Sequence, residues 1–140
     1  MKIGIVGSCE ENKLLSANIV VCTNPLKPRL GGLAHHGGKS GAEKIADWLP
    51  NSKVIKLLNQ TGAENMREPI DRPLMLFSTD HEDLTKDFMS LLESTGFDGR
   101  YAGLLNSSIY LEYLVITRIH LAIRTELGRN FSFHIAEEQK

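Results

Sequence analysis

Histidine, cysteine and glycine stand at several places where their types and spacing invite chemistry. His35 and His36 sit inside a glycine-rich stretch, Gly31-Gly32-Leu33-Ala34-His35-His36-Gly37-Gly38, which follows a hydrophobic strand. Open α/β sheets hold their ligands at the carboxyl ends of strands, so a substrate or metal loop is conceivable there. Metal is not expected, because adjacent histidines point differently and no Cys, Asp or Glu follows at a ligand spacing. A solvated mobile loop is the plain alternative. His120 falls on an apolar helical face, where a buried, hydrogen-bonded imidazole is expected rather than a proton shuttle. His81 and His134 belong to no motif. Cys9 lies between a strand and a possible helix, but Glu10 and Glu11 beside it oppose a lowered thiol pKa, so a passive thiol is expected. Gly38-Lys39-Ser40 ends like a phosphate-binding loop, yet Leu33 stands where G-x-x-x-x-G-K-[ST] needs its first glycine. The sequence offers no Ser-His-Asp arrangement and no nucleophile elbow.

Composition narrows the classes. The chain has 140 residues with 16 basic against 17 acidic side chains, 41% hydrophobic and 24% charged. That is an ordinary globular composition, too apolar for disorder and without the one-signed charge that attracts nucleic acid. The uninterrupted apolar runs reach only four residues, Ile19 to Cys22 and Leu74 to Phe77, so no membrane span is expected. The opening MKIGIVGS is too short and glycine-split for a signal-peptide core, and Cys9 and Cys22 make no disulfide framework. A cytoplasmic protein is expected. One domain over 1–135 followed by a polar tail, 136–140, accounts for the length.

The elements that must position these residues alternate between short β-rich runs and helical patterns, which predicts βαβ units and a mostly parallel sheet. Lys2 to Val6, Asn18 to Thr23, Lys53 to Leu58, Leu74 to Ser78 and Phe97 to Ala102 read as strands. Ser40 to Leu49 reads as a helix, with Ser40 and Glu43 forming a capping box, an apolar stripe at Ala42, Ile45, Ala46 and Leu49, and Pro50 as the stop. A second helix is expected with Asp80 as its cap, Leu84, Phe88, Leu91 and Leu92 on its face, and Gly96 at its end. Ser107 to Leu127 carries apolar residues on two faces, which predicts a long helix buried nearly all round. Such burial is completed either within one chain or by a second copy, and a homodimer through 107–127 is the partner expected.

From Asn18 onward the chain resembles the deazaflavin (coenzyme F-420)-dependent NADP oxidoreductase family. The resemblance rests on Thr23-Asn24-Pro25-Leu26 after a strand, Ser40-Gly41-Ala42-Glu43 opening a helix that ends Trp48-Leu49-Pro50, and Lys53-Val54-Ile55-Lys56 leading to Asn59 and Gly62-Ala63-Glu64-Asn65. It continues through Gly96-Phe97-Asp98, Leu111-Glu112, Ile119-His120-Leu121-Ala122 and Leu127-Gly128-Arg129-Asn130-Phe131-Ser132-Phe133. The opening MKIGIVGS resembles the family's first strand. The resemblance implies a truncated Rossmann-like α/β fold, NADP as cofactor, and hydride transfer to or from a flavin or deazaflavin-like acceptor. In such chemistry the cofactor does the redox step while the protein positions the rings. The cofactor-binding residues it implies are Gly4, Gly7 and Ser8 at the phosphate end, Thr23, Asn24 and Pro25 beside the nicotinamide ribose, and Asn59 at the end of the next strand.

The chain departs from that pattern at one place. A dinucleotide turn needs G-x-G-x-x-G so that backbone N–H groups reach the pyrophosphate. Here Ser8-Cys9-Glu10-Glu11 follows Gly7, and only residues 8–17 separate the first strand from the second, where the family carries further strands and helices. That length is near the minimum for a parallel crossover. A miniature βαβ unit, a different pairing of the first strand, or its exchange with a neighbouring subunit would each satisfy it. Two further readings follow: a non-catalytic, shortened dimeric relative that has lost dinucleotide affinity, and an interaction module whose last helix is the working surface.

Overall fold

In a computed structural model that describes residues 3–6 (backbone only), 18–35 and 38–138, five strands form one sheet in sequential order. They are β1 (Ile3–Val6), β2 (Asn18–Val21), β3 (Lys53–Lys56), β4 (Leu74–Thr79) and β5 (Asp98–Tyr101). β1, β2 and β3 run parallel, with Ile3 opposite Asn18 and Asn18 opposite Lys53; β4 is antiparallel to β3, and β5 is parallel to β4. The first strand therefore pairs within its own chain, beside β2. The residues that join them, 7–17, lie outside the described residues, and with them the expectations for Cys9, Glu10 and Glu11.

Strand side chains alternate between faces, and each face is covered by a different helix. Ile19, Val21 and Val54 meet Ala42, Ile45, Ala46 and Leu49 of α1 (Gly41–Trp48) on one face. Val20, Ile55, Met75 and Phe77 meet Leu84, Phe88 and Leu92 of α3 (Thr85–Ser94) and its surroundings on the other. α3 comes close enough to β5 that a Cβ on Gly99 would lie 2.8 Å from Leu92 Cβ. A glycine is required there by contact. The long α4 (Ser108–Arg124) lies on the same face as α1 and crosses the sheet, with Ser108 Oγ 2.7 Å from Ser78 Oγ. Mostly parallel strands flanked by helices, ending in a long C-terminal helix, make the sheet Rossmann-like.

Local signals explain several boundaries. The Ser40–Glu43 capping box is present in both directions, with Glu43 N–H donating to Ser40 Oγ and Ser40 N–H to Glu43 Oε2. Gly96 takes a positive φ of 90° after α3, as a helix-ending glycine does. Asp80 does not cap the helix that follows it. A 3-10 turn, Glu82–Leu84, leads into α3 instead, and Asp80 Oδ1 accepts from Leu105 N–H at 2.8 Å, tying the end of β4 to the entry of α4. A short α2 (Ala63–Arg67) occupies the connection after β3.

The expectation for the last helix also needs correction. α4 ends at Arg124 and buries one face, Ser108, Leu111, Glu112, Val115 and Arg118, at intervals of three and four. His120 is exposed, on the far side from that face, and so are Tyr110, Tyr113 and Ile123. The apolar positions that looked like a second core face are a surface within this chain. Among the described residues no helix is long and apolar enough to cross a membrane.

Candidate functional site

The carboxyl ends of β2 and β3 bring together residues that stand far apart in sequence. Thr23, Asn24 and Pro25 follow β2, and Leu57 to Gln60 follow β3. Between the two turns, Asn24 Nδ2 donates to the Asn59 carbonyl at 3.2 Å and Asn59 Nδ2 donates to Asn24 Oδ1 at 2.8 Å. Asn59 Nδ2 also reaches the Leu111 carbonyl of α4 at 3.3 Å. Gln60 continues the chain of amides: its Nε2 donates to Asn59 Oδ1 at 2.9 Å and to the Leu76 carbonyl at 2.7 Å, while its Oε1 accepts from Leu76 N–H at 3.0 Å. Gln60 thus takes the place of a strand in pairing with β4.

The backbone is bent to make this possible. Leu58 adopts φ 58°, a left-handed conformation that costs a non-glycine residue about 1–2 kcal/mol. Its side chain packs against the core beneath the sheet, which holds it there while Asn59 and Gln60 turn toward β2 and β4. Strain at the end of a central strand is the kind that accumulates where a fold positions polar groups for use.

A buried charge cluster lies beside the amides. Lys56, the last residue of β3, and Glu112 of α4 are both fully buried. Lys56 Nζ donates to Glu112 Oε1 at 3.0 Å and also to the Thr23 carbonyl. The same oxygen accepts from Gly41 N–H, at the first turn of α1, at 3.0 Å, where the helix dipole favours an anion. The other oxygen, Oε2, lies 2.6 Å from His35 Nε2. A carboxylate only accepts, so Nε2 is the donor of this bond. A Cβ on Gly41 would stand 3.2 Å from Glu112 Oε1, so the absence of a side chain there is what lets the carboxylate reach the helix.

Two titrations are shifted by this arrangement. Burial pushes the Lys56 ammonium below the ordinary lysine range, and Glu112 beside it opposes the shift. Burial raises the half-buried Cys22 thiol, against a smaller opposing pull from Lys56. Cys22 is therefore protonated and passive in neutral solution.

His35 itself is nearly enclosed, its side chain 9% exposed and its ring edge-on to Tyr113 with centroids 5.4 Å apart. The expectation of a solvated mobile loop fails at this residue, since Glu112 and Tyr113 both hold it; His36 and Gly37 lie outside the described residues. Of the other site expectations, Thr23, Asn24, Pro25 and Asn59 are brought to one place, and Gly4 lies in β1 next to β2. Gly7 and Ser8 lie outside the described residues.

Nothing local in the sequence marks Lys56, Glu112 or Gln60 as site residues. Lys56 gives one indirect signal: a cationic residue ending a strand that is covered on both faces needs a buried counter-charge. Nothing in the sequence says which acid, 56 positions away, supplies it.

No family model and no curated protein sequence matches the chain. Solved structures do. A protein described as a candidate F-420-dependent NADP reductase from Arthrobacter sp. FB24 superposes with a TM-score of 0.74 at 28% identity, over 86% of this chain and 57% of that one. A hypothetical protein from Sinorhizobium meliloti superposes with a TM-score of 0.59 at 17% identity, over 86% of this chain and 55% of that one, a likeness of fold alone. The chain spans little more than half the length of either. Its sheet is similar in fold to that of the Arthrobacter protein.

Proposed function

We propose that this chain is a nicotinamide-using oxidoreductase domain that passes hydride between NADP(H) and a flavin or deazaflavin-like acceptor. The observation that carries the reading is the interlocked Asn24–Asn59 pair at the ends of β2 and β3, backed by the buried Lys56–Glu112–His35 cluster. Open α/β sheets bind their ligands at this end, and the fold likeness to a protein described as an NADP reductase supports the same placement.

The residues fit the ring end of such a cofactor. Thr23, Asn24 and Pro25 are half-buried, as residues lining a cleft would be, and they present a hydroxyl, an amide and an apolar ring. The nicotinamide, when bound, supplies the hydride. The chain's own part is to orient and to shield. Asn24 is fixed by Asn59, so its amide meets a ligand without first being ordered, which lowers the entropic cost of binding. Lys56 is fixed by Glu112 and the Thr23 carbonyl, which holds the turn carrying Thr23 and Asn24. His35 is held at Nε2 by Glu112 and edge-on by Tyr113, which fixes the loop that carries it against the same turns. Gly4, Gly7 and Ser8 complete the reading at the phosphate end.

A second copy of the chain belongs to the proposal. Tyr110, Tyr113 and Ile123 leave an exposed apolar face on α4, with Tyr110 71% exposed, and such faces are covered in symmetric dimers. Tyr113 meets His35 edge-on, so a partner on this face would also close the site. The same face favours the alternative, a dimeric binding module without redox activity.

Mixing the protein with NADPH and an oxidised flavin or deazaflavin separates the two. The proposal expects catalysed loss of the reduced nicotinamide absorbance, slowed in Asn24→Ala, and a dimer in sedimentation that Ile123→Glu dissociates. A dimer that neither binds nor oxidises NADPH would establish the binding module instead.

A further inference from the structure

Six residues beyond Glu112 on the same face of α4, Arg118 is buried to 8% exposure. Its Nη2 donates to the carbonyls of Arg129 at 2.9 Å and Phe131 at 3.0 Å, and its guanidinium carbon lies 5.0 Å from the centre of the Phe131 ring. No described carboxylate forms an ion pair with it. Its Nε has no partner among the described residues, nor has the buried hydroxyl of Thr61. Both residues line one small cavity with Gln60, Ser132 and Phe133. A buried cation whose hydrogen bonds go to neutral carbonyls, with one donor orphaned, is costly unless something else uses it. Burial holds its pKa below the usual arginine range, with Glu64 acting weakly in opposition.

We infer that the Nε/Nη2 edge of Arg118, with the Thr61 hydroxyl, is a receptor for a small oxyanion, carboxylate or phosphoryl, beside the Asn59–Gln60 turn. The edge of a guanidinium that presents Nε and Nη2 together matches two oxygens of one anion. Here Nε is free, and the strap carbonyls of Arg129 and Phe131 occupy Nη2 as neutral substitutes. An oxyanion would place one oxygen on Nε, a second on Nη2, and accept a further bond from Thr61 Oγ1. Charge-assisted bonds of this kind are about twice as strong as those to a neutral carbonyl.

The cavity of about 10 Å³ has room for one water as it stands, so the strap must shift to admit the anion. That strap, residues 129–133, is exposed or half-buried and is otherwise fastened by Asn65 Nδ2 to the Phe131 carbonyl at 3.1 Å and by Leu74 N–H to the Phe133 carbonyl at 2.8 Å. Gln60 borders the cavity while bonding Asn59, which places the anion next to the Asn24–Asn59 pair. The inference stands on Arg118 and Thr61 and does not require a nicotinamide cofactor.

The test is a titration of the full chain with inorganic phosphate and, separately, acetate, at constant ionic strength, following the Arg118 Nε–H resonance by NMR. A saturable shift with a half-point in the millimolar range is expected. Arg118→Lys, which keeps the charge but loses the fork, should weaken binding by about tenfold or more. Thr61→Val, nearly isosteric, should weaken it by about threefold or more while leaving the amide spectrum otherwise native. Should Arg118→Lys fail to fold, Thr61→Val decides. Saturation by phosphate alone identifies a phosphoryl ligand, and by acetate alone a carboxylate; each supports the site. An Nε–H resonance unmoved to about 50 mM of either anion, far above a millimolar half-point, would overturn it. So would unchanged affinity in Thr61→Val.

Discussion

Two buried charges share one face of α4, and they are satisfied in opposite ways. Glu112 meets Lys56, Gly41 N–H and His35, so that each oxygen has a donor and the charge has a partner. Arg118, about 9 Å further along the helix by its rise per residue, has two neutral carbonyls on one nitrogen and none on another. The first arrangement is closed and structural in its energetics, and it fixes the turns that carry Asn24 and Asn59. The second keeps binding capacity in reserve. A helix that reads from sequence as apolar on two faces thus carries two buried charges, Glu112 and Arg118.

Removing one member of the closed cluster should have the largest effect. Glu112→Gln leaves the Lys56 ammonium buried without a counter-charge and is expected to destabilise the protein by about 3–5 kcal/mol in denaturant unfolding. Arg118→Met, which removes a buried charge without an ion pair among the described residues, along with its two bonds to the strap, should cost about 1 kcal/mol or less. Equal losses in the two variants would break the comparison. The double variant Lys56→Met/Glu112→Leu should recover most of what the singles lose, with a coupling energy of about 3 kcal/mol in a double-mutant cycle. Additive losses would mean that the pair is not a unit.

Gly41→Ala comes next in size. Its methyl would press on Glu112 Oε1 at 3.2 Å, and because three donors hold that carboxylate it cannot retreat. A loss of about 1 kcal/mol is expected despite alanine's better helix propensity.

The smallest effect belongs to the exposed pair Lys53–Asp83, 2.5 Å apart. Lys53 holds the Asp83 carboxyl below the usual carboxylate range, so its contribution is present above the ordinary carboxylate pKa and fades as pH falls through the lowered folded value. Solvent screens it, and Asp83→Asn should leave unfolding at neutral pH unchanged within error.

How far the sequence shows all this depends on the range of each interaction. Ser40 and Glu43 are three residues apart and declare their helix start outright. The β-branched run at Ile19 to Val21 declares a strand covered on both faces, and it is buried on both. Asp80 misled because a carboxylate before an amphipathic stretch reads as a cap, while its actual partner, Leu105 N–H, lies 25 residues on. His120 misled because apolar neighbours at helical spacing do not say which of two apolar faces meets the sheet. Lys56 and Glu112 were legible only as members of motifs, since a long-range ion pair leaves no local trace in either segment. The resemblance points to Asn24 and Asn59 as separate cofactor-binding positions; that each holds the other's amide is a property of the folded sheet.

The account's central claim is that the cleft fixed by Asn24 and Asn59 takes a nicotinamide dinucleotide. Calorimetric titration of the wild-type protein and of Asn24→Ala with NADPH tests it most directly. The account predicts micromolar NADPH binding by the wild type and about tenfold weaker binding by the variant, a difference of about 1.4 kcal/mol. Absence of binding up to millimolar NADPH, or equal affinity in the two proteins, would contradict it.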